Sequence, residues 1–272
     1  MSEGTGAVPA GTEEAKAKVV PYQRPGLTAI TAYLVVRPAV QFMEFVKAAF
    51  HGTERMRMPA PDGTVMHAEM AIGNGAIEVS DGNAQYPTAP AAIHLYVDDA
   101  DATFERALRA GATSLAPVAD QHWGDRWGAV KDAFGNHWYI AKPGSWAQGP
   151  ERVPSVQPYL HLREAHKIVP FLEAAFGAES LGLAKSPEGA VLHGTIRIGN
   201  ATLEIAEAYG EFQPMPCHLH VYVLDTDAAY ARALRAGATS VEEPQDKPYG
   251  DRSAGVKDPW GNSWFIATYL EK

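Results

Sequence analysis

The chain has 272 residues, of which 46% are hydrophobic and 20% charged, and this length and composition favour a globular protein of two domains. Its formal net charge of −9 argues against the basic surface that nucleic acids and anionic membranes require, and its single cysteine excludes an internal disulfide framework and any multi-cysteine metal site. No apolar run approaches the roughly 18 to 20 residues needed to cross a bilayer.

The first 26 residues are small, polar and rich in proline and glycine. They lack the apolar centre of a signal peptide, and they cannot bury enough apolar surface to offset the entropy lost on ordering. We therefore expect residues 1–26 to be a disordered leader. We also expect a cytoplasmic protein with no nucleic-acid or membrane partner.

Three stretches of the first half recur in the second half at a constant offset of 126 residues, without a gap. They are residues 66–79, 93–114 and 124–141, which recur as 192–205, 219–240 and 250–267. Such an offset indicates a tandem duplication of one domain. We predict a first domain at 27–142, a Pro/Gly-rich linker at 143–153 and a second domain at 154–272.

The elements of the second unit are predicted from hydrophobic periodicity and turn residues. A strand at 156–163 precedes a helix that ends at Gly177, and strands follow at 191–199 and 202–208. A strand at 218–223, an amphipathic helix at 227–237 and a hairpin at 251–267 complete the unit. A strand, a helix and several strands therefore occur twice in each unit, which predicts an α+β fold of four modules.

One face of the predicted sheet in the second unit is polar and rich in histidine and tyrosine. Its side chains are those of Gln157, Tyr159, His161, His193, Thr195, Arg197, Glu204, His218, His220 and Tyr222. A helix can cover only the opposite, apolar face of such a sheet. The polar face therefore predicts a binding cup, with an ordinary solvated sheet face as the alternative.

The segments "RMPAPDGTVMHAE", "IHLYVDDADATFERALRAGA" and "WGDRWGAVKDAFGNHW" resemble those of the vicinal oxygen chelate superfamily, and most of all its PhnB-like branch. That superfamily includes glyoxalase I, bleomycin- and fosfomycin-resistance proteins and extradiol dioxygenases. The resemblance implies two tandem glyoxalase-like domains, built from four βαβββ modules that form curved mixed sheets with outer helices. It also implies a monomer or a homodimer.

Enzymes of the superfamily hold a divalent metal in the cup, and the resemblance points to four ligand positions per unit. These are Thr31, Glu78, Ala92 and Tyr139 in the first unit and Gln157, Glu204, His218 and Phe265 in the second. We predict either one divalent metal on Gln157, Glu204 and His218 or no metal at all. In the latter case Glu204 pairs with a cation. Modules can pair one with two and three with four, or one with four and two with three, and the sequence leaves this open.

Glu78 and Glu204 are candidate general bases, since a carboxylate in a partly dry cup has a raised pKa; a salt-bridged carboxylate is the alternative. The candidate substrate-binding residues are Arg126, Arg252, Trp123, Tyr249, His94, Tyr96, His220 and Tyr222. The two arginines have an alternative role, in which they pair with neighbouring aspartates. We predict a glyoxalase- or bleomycin-resistance-like protein that binds a small oxygenated organic molecule, with lyase or isomerase activity by proton abstraction. The alternatives are a non-catalytic protein that sequesters a small molecule or drug and, with less support, a metal-dependent dioxygenase.

Overall fold

The computed structural model describes residues 22–147 and 153–270, which form four βαβββ modules. Module one contains β1 (Ile30–Val36), α1 (Ala39–Phe50), β2 (Thr53–Pro59), β3 (Val65–Ile72) and β4 (Gly75–Asp81), and module two contains β5 (Ala92–Tyr96), α2 (Ala100–Arg109), β6 (Thr113–Asp120), β7 (Arg126–Lys131) and β8 (His137–Lys142). Module three contains β9 (Val156–Leu162), α3 (Ile168–Phe176), β10 (Glu179–Lys185), β11 (Val191–Ile198) and β12 (Ala201–Glu207), and module four contains β13 (His218–Tyr222), α4 (Thr226–Arg235), β14 (Thr239–Asp246), β15 (Asp251–Lys257) and β16 (Ser263–Tyr269). Short 3₁₀ turns lie at Ser145–Ala147 and Ala165–Lys167. Within these ranges, no helix has the length and apolarity needed to span a membrane.

The sixteen strands form two curved mixed sheets of eight. Sheet A has the order β14-β15-β16-β13-β1-β4-β3-β2, and sheet B has the order β10-β11-β12-β9-β5-β8-β7-β6. Strands β1 and β13 join modules one and four in sheet A, with Thr31 opposite His220 in an antiparallel register. Strands β5 and β9 join modules two and three in sheet B, with His94 opposite Gln157. Each sheet therefore combines modules from both halves of the sequence, which decides the question of module pairing.

The helices lie on one face of each sheet, opposite the polar side chains. Leu34 of β1 and Trp138 of β8 are fully buried on the helix side. Helix α1 packs on strands β1, β3 and β4 of sheet A, and its Phe50 also contacts Trp138 of sheet B, with ring centroids 4.5 Å apart. One hydrophobic core therefore extends between the two sheets. This arrangement confirms the predicted α+β fold.

The repeated hairpin contains a buried aspartate whose hydrogen bonds hold the hairpin against the neighbouring strand. Asp258 accepts four hydrogen bonds of 2.9 Å, from the backbone N–H groups of Trp260 and Asn262 and from the side chains of Asn262 and Trp264. Asn262 Oδ1 in turn accepts from the backbone N–H of Cys217, immediately before β13. Asp132 makes the equivalent four bonds before β8. The motif occurs twice because the hairpin in each sheet is held by the same set of hydrogen bonds.

The predicted leader, residues 1–26, includes residues that belong to the folded part of the chain. Residues 1–21 lie outside the described ranges, but Tyr22 accepts a backbone hydrogen bond from Tyr269, and Arg24 forms a 2.8 Å ion pair with the buried Asp251. The segment 22–26 therefore lies against sheet A, held by the backbone of Tyr22 and the side chain of Arg24. The predicted linker, 143–153, includes residues 148–152, which lie outside the described ranges. Before them, Trp146 donates a hydrogen bond to Asp125.

Candidate functional site

Each sheet has a polar and aromatic face turned away from the helices; we call these faces cup A, on sheet A, and cup B, on sheet B. The offset of 126 relates their side chains, so that Tyr33, Glu78 and His220 of cup A correspond to Tyr159, Glu204 and His94 of cup B. Cup A holds a cavity of about 350 Å³ that is lined by both module one and module four. The cavity therefore lies across the junction of the first and last quarters of the chain.

A buried carboxylate–imidazole pair lies at the centre of cup A. The Nδ1 atom of His220 donates to Glu78, at 2.8 Å from Oε2, and the Glu78 side chain is only 2% exposed. Burial alone would raise the pKa of Glu78, but the neighbouring His220 and His67 lower it overall. Burial alone would lower the pKa of His220, but the Glu78 charge raises it. The pair is therefore stabilised as a carboxylate and an imidazolium.

Cup B contains the equivalent pair. The Nδ1 atom of His94 lies 2.6 Å from Oε2 of Glu204, and Nε2 of His193 lies 3.4 Å from the same oxygen. The two histidines outweigh the effect of burial and lower the pKa of Glu204 to about 2. The sequence predicted raised pKa values for Glu78 and Glu204, and this was wrong, because β-strand alternation alone does not reveal the histidine on the adjacent module.

Three further features of cup A surround the pair. The Tyr33 hydroxyl lies 3.1 Å from Nδ1 of His67, and the Tyr33 ring meets Phe265 edge-on at 5.2 Å. At one end, Arg24 bonds Asp251 and lies over the ring of Tyr249, with the guanidinium carbon 5.8 Å from the centroid. The offset applied to Tyr159 and His193 would have identified Tyr33 and His67. No sequence signal identified Arg24, because it lies in the segment predicted as leader.

The structure places the predicted binding residues in different surroundings. Tyr249, His220 and Tyr222 line the cavity of cup A, and His94 and Tyr96 stack on each other in cup B with centroids 4.2 Å apart. Trp123 is half exposed beside His122, on the turn before β7. These positions agree with strand alternation on β5 and β13.

The two arginines proposed as ligand-binding residues point away from the cups, which corrects that prediction. Arg252 forms ion pairs with Asp227 and Asp246, and Arg126 pairs with Asp101 and Asp120. Their neighbours on the strand, such as Asp251, face the cup instead, because successive side chains of a strand point to opposite faces. The alternative role, pairing with aspartates, is the one the structure has.

The predicted metal ligands do not form one site. His218 lies on β13 of sheet A, whereas Gln157 and Glu204 lie on β9 and β12 of sheet B. Gln157 Oε1 accepts a 2.5 Å hydrogen bond from Thr202, and the His218 ring stacks on Phe265 at 6.0 Å. The reason is the module pairing, which separates residues that are neighbours within one half of the sequence.

With that pairing, the superfamily's four ligand positions are Thr31, Glu78, His218 and Phe265 in cup A and Gln157, Glu204, Ala92 and Tyr139 in cup B. Catalytic metal sites normally have three donors of the His, Cys, Asp or Glu type, but cup A offers only two, a carboxylate and an imidazole, beside a neutral threonine hydroxyl, and cup B offers one carboxylate beside a neutral amide. Across residues 22–147 and 153–270, no three His, Cys, Asp or Glu side chains are grouped to hold a metal ion. The donor set therefore does not fit the divalent metal that the resemblance implies.

Two family models match the chain. One, described as the glyoxalase/bleomycin resistance protein/dioxygenase superfamily, matches residues 31–140, and the other, described as a glyoxalase-like domain, matches residues 161–267. The chain belongs to this superfamily. The paired matches also confirm the tandem duplication, with one glyoxalase-like domain matched in each half.

Relatives and solved structures are consistent with this membership. An uncharacterised protein from Mycobacterium bovis is 40% identical over 126 residues, which cover 42% of this chain and 83% of that protein. One from Mycobacterium tuberculosis strain H37Rv has the same identity and covers 42% and 74%. Glyoxalase I from Zea mays is 16% identical with a TM-score of 0.66 and covers 88% of this chain and 92% of that chain. A putative dioxygenase from Bacillus subtilis is 14% identical with a TM-score of 0.55 and covers 88% and 83%. At these identities the two structures show a shared fold, and the PhnB-like branch stays a prediction.

Proposed function

We propose that the protein binds one small, flat, oxygenated organic molecule in cup A. The observation that carries the proposal is the 350 Å³ cavity, which has the Glu78–His220 pair among its lining residues. A volume of this size falls in the range of small-molecule sites in proteins, which are mainly apolar with a few placed polar groups. The superfamily supports the same class of ligand, since its members act on or bind small molecules.

The lining of the cavity indicates the shape and polarity of the ligand. Its walls carry aromatic rings and thioethers, from Tyr33, Met56, Met58, Met66, Tyr86, Tyr249 and Phe265. Aromatic faces and methionines favour flat, polarisable molecules. The charged groups are already paired, as Lys247 with Glu242 at 2.7 Å and Arg24 with Asp251 at 2.8 Å, so that no large net charge is left for a highly charged ligand.

The polar anchor that we propose is His220. Its Nδ1 is engaged by Glu78, which leaves Nε2 as the ring nitrogen that can bond a molecule in the cavity. An imidazolium donates at both nitrogens, so Nε2 would donate to a carbonyl, phenolate or carboxylate oxygen of the ligand. A hydrogen bond from a charged donor is worth about 1.5 to 3 kcal/mol.

A fluorescence titration with 8-anilinonaphthalene-1-sulfonate, which has a flat naphthalene ring and anionic sulfonate oxygens, tests the proposal. The wild-type protein should bind this probe, and Ser253→Trp should abolish binding, because Ser253 lines the cavity and a tryptophan there fills it. The matched control is Trp127→Phe at the equivalent position of cup B, which should leave the affinity unchanged. Binding that survives Ser253→Trp would place the ligand elsewhere and refute the proposal.

A second candidate is metal-independent proton transfer, which the Glu78–His220 pair favours. A carboxylate that holds an imidazole by Nδ1 fixes its tautomer and orients Nε2 for exchange of a proton with a bound substrate. His220 would then transfer the proton, and Glu78 would hold the His220 ring in position. The metal-dependent dioxygenase alternative is not proposed, because its metal does not fit the donors.

Turnover of the hemithioacetal of methylglyoxal and glutathione, followed by formation of the thioester product, tests this candidate. We expect Glu78→Gln and His220→Gln to lose turnover by at least 100-fold, the usual size of a general acid–base contribution. The matched variants Glu204→Gln and His94→Gln in cup B should retain it. Probe binding without turnover of this substrate would favour the non-catalytic binding protein.

A further inference from the structure

Cup B is occupied by its own side chains. Trp127, Tyr139, Tyr159, Phe212 and Met215 belong to one apolar cluster on the polar side of sheet B, which also contains Leu115, Ala116, Ala92 and Ala129. Trp127 stacks on Tyr139 with centroids 5.9 Å apart, and Tyr159 meets Tyr139 edge-on at 5.0 Å. Of these rings, that of Trp127 stands at the position of Ser253, which lines the cavity of cup A.

A histidine and a short hairpin complete the filling of cup B. His161 receives a 2.7 Å hydrogen bond from the Tyr139 hydroxyl and stacks on Phe212 at 5.5 Å. Phe212 is held in place by a tight turn, in which Tyr209 and Phe212 exchange backbone hydrogen bonds of 2.8 and 2.9 Å. Phe212 is therefore fixed against the floor of the cup by both its ring and its backbone.

Three of the corresponding positions in cup A carry smaller side chains, whereas Phe212, Tyr139 and Tyr159 correspond to the aromatic residues Tyr86, Phe265 and Tyr33. Ser253 stands where cup B has Trp127, Val35 where it has His161, and Ala89 where it has Met215. Ser253 and Val35 both line the cavity of cup A. The larger residues of cup A, His218 and Glu242, leave the space open, because His218 lies parallel to Phe265 and Glu242 is drawn to Lys247.

Beneath this filling, cup B keeps the polar pair. His94 bonds Glu204 through Nδ1, and its Nε2 atom is buried without a hydrogen-bond partner in the described part of the chain. A buried nitrogen without a partner is energetically unfavourable. The retained pair shows that the two cups share one polar plan and differ in the side chains that occupy the space above it.

We infer that Trp127 and His161 act as a built-in occupant that closes cup B, so that each chain binds one ligand, in cup A. This inference rests on the proposed function for the number of ligands, but the filling of cup B is a property of the protein alone. Two pairs of equivalent residues therefore decide which cup binds a ligand. Val35 and Ser253 leave cup A open, and His161 and Trp127 close cup B.

Exchanging these two pairs of residues tests the inference by the number of sites. With 8-anilinonaphthalene-1-sulfonate as the probe, the wild type should bind one molecule per chain, and the double variant Trp127→Ser/His161→Val should bind two. The reverse double variant, Val35→His/Ser253→Trp, should bind none. Two probe molecules in the wild type, or one in the opened variant, would overturn the inference.

Thermal unfolding without probe gives a second measurement. Removing a packed tryptophan ring leaves a cavity, so Trp127→Ser/His161→Val should lower Tm by about 6 °C or more. Val35→His/Ser253→Trp fills existing space and should lower it by less. An unchanged Tm in the opened variant would show that cup B was not filled. A lowered Tm without probe binding by the wild type would support the filling of cup B and refute the proposed function.

Discussion

Replacing His220 by alanine should destabilise the protein strongly at neutral pH. The variant leaves Glu78 buried, with His67 Nε2 at 3.9 Å as its remaining imidazole neighbour, in place of the 2.8 Å contact with His220. Removing one partner of a buried ion pair costs about 3 to 5 kcal/mol, because the other charge stays in a poorly solvated place. For a protein of this size, such a loss corresponds to roughly 6 to 20 °C in Tm.

The pH dependence identifies the cause of that loss. In the wild type, the lowered pKa of Glu78 stabilises the fold above about pH 4.5 and this contribution is lost as the pH falls. The raised pKa of His220 contributes fully below about pH 6.5, and this contribution is lost as the pH rises through the folded-state pKa. In the variant, burial dominates and raises the pKa of Glu78, so that the carboxyl group becomes neutral on mild acidification. The stability gap between the two proteins should therefore narrow from pH 7 to pH 4.5.

Urea unfolding followed by circular dichroism at pH 4.5, 6 and 7.5 measures this gap. His94→Ala is the matched control in cup B, where His193 remains 3.4 Å from Glu204 and should limit the loss to a smaller value. A gap under 1 kcal/mol at pH 7.5, or a gap that does not change with pH, would refute the description of Glu78 and His220 as a buried ion pair.

Three further predictions concern the fold. Asp258→Ala and Asp132→Ala should each lower the free energy of unfolding by at least 2 kcal/mol in urea denaturation, because each substitution leaves several buried donors without an acceptor. A loss in only one half would contradict the equivalence of the two hairpins. Deleting residues 1–21 should leave Tm nearly unchanged in calorimetry, whereas Arg24→Ala should lower it by a few degrees, because Asp251 loses its ion pair; an equal effect of both changes would contradict this role of Arg24. A fragment of residues 22–147 should not be a stable monomer in sedimentation analysis, since β1 and β5 lose their neighbours β13 and β9, and a well-folded monomer would contradict this.

The fold was predictable from the sequence to a greater extent than the site. The gapless offset and the strand and helix periods specify each module, because they depend on local patterning. Strand alternation also placed His220 and Tyr222 on the polar face. Arg252 was predicted from its place in the repeated hairpin motif, and one residue along a strand moves a side chain to the opposite face.

Module pairing was not predictable, because β1 and β9 occupy equivalent places in the repeat, as do β5 and β13, so that β1 can form its junction with either β5 or β13. The choice of junction determines which module lies opposite Glu78, Glu204 and His218, and therefore which side chains surround them. The metal set failed for that reason, and so did the expected pKa shifts. Arg24 was missed because a short polar segment has no periodicity, and its role depends on a carboxylate 227 residues later in the chain.

The junction of β1 with β13 has a consequence for the order in which the protein is assembled during synthesis. Sheet B uses strands between Ala92 and Glu207, which are continuous in sequence, so its strands can pair before module four has emerged. Sheet A must close a loop from Tyr33 to His218, and its last strand ends at Tyr269. Closing a longer loop costs more chain entropy and slows pairing, and the final strands are made last. Until then β1 exposes an unpaired edge, and the cup that contains the cavity is completed only when nearly the whole chain is available.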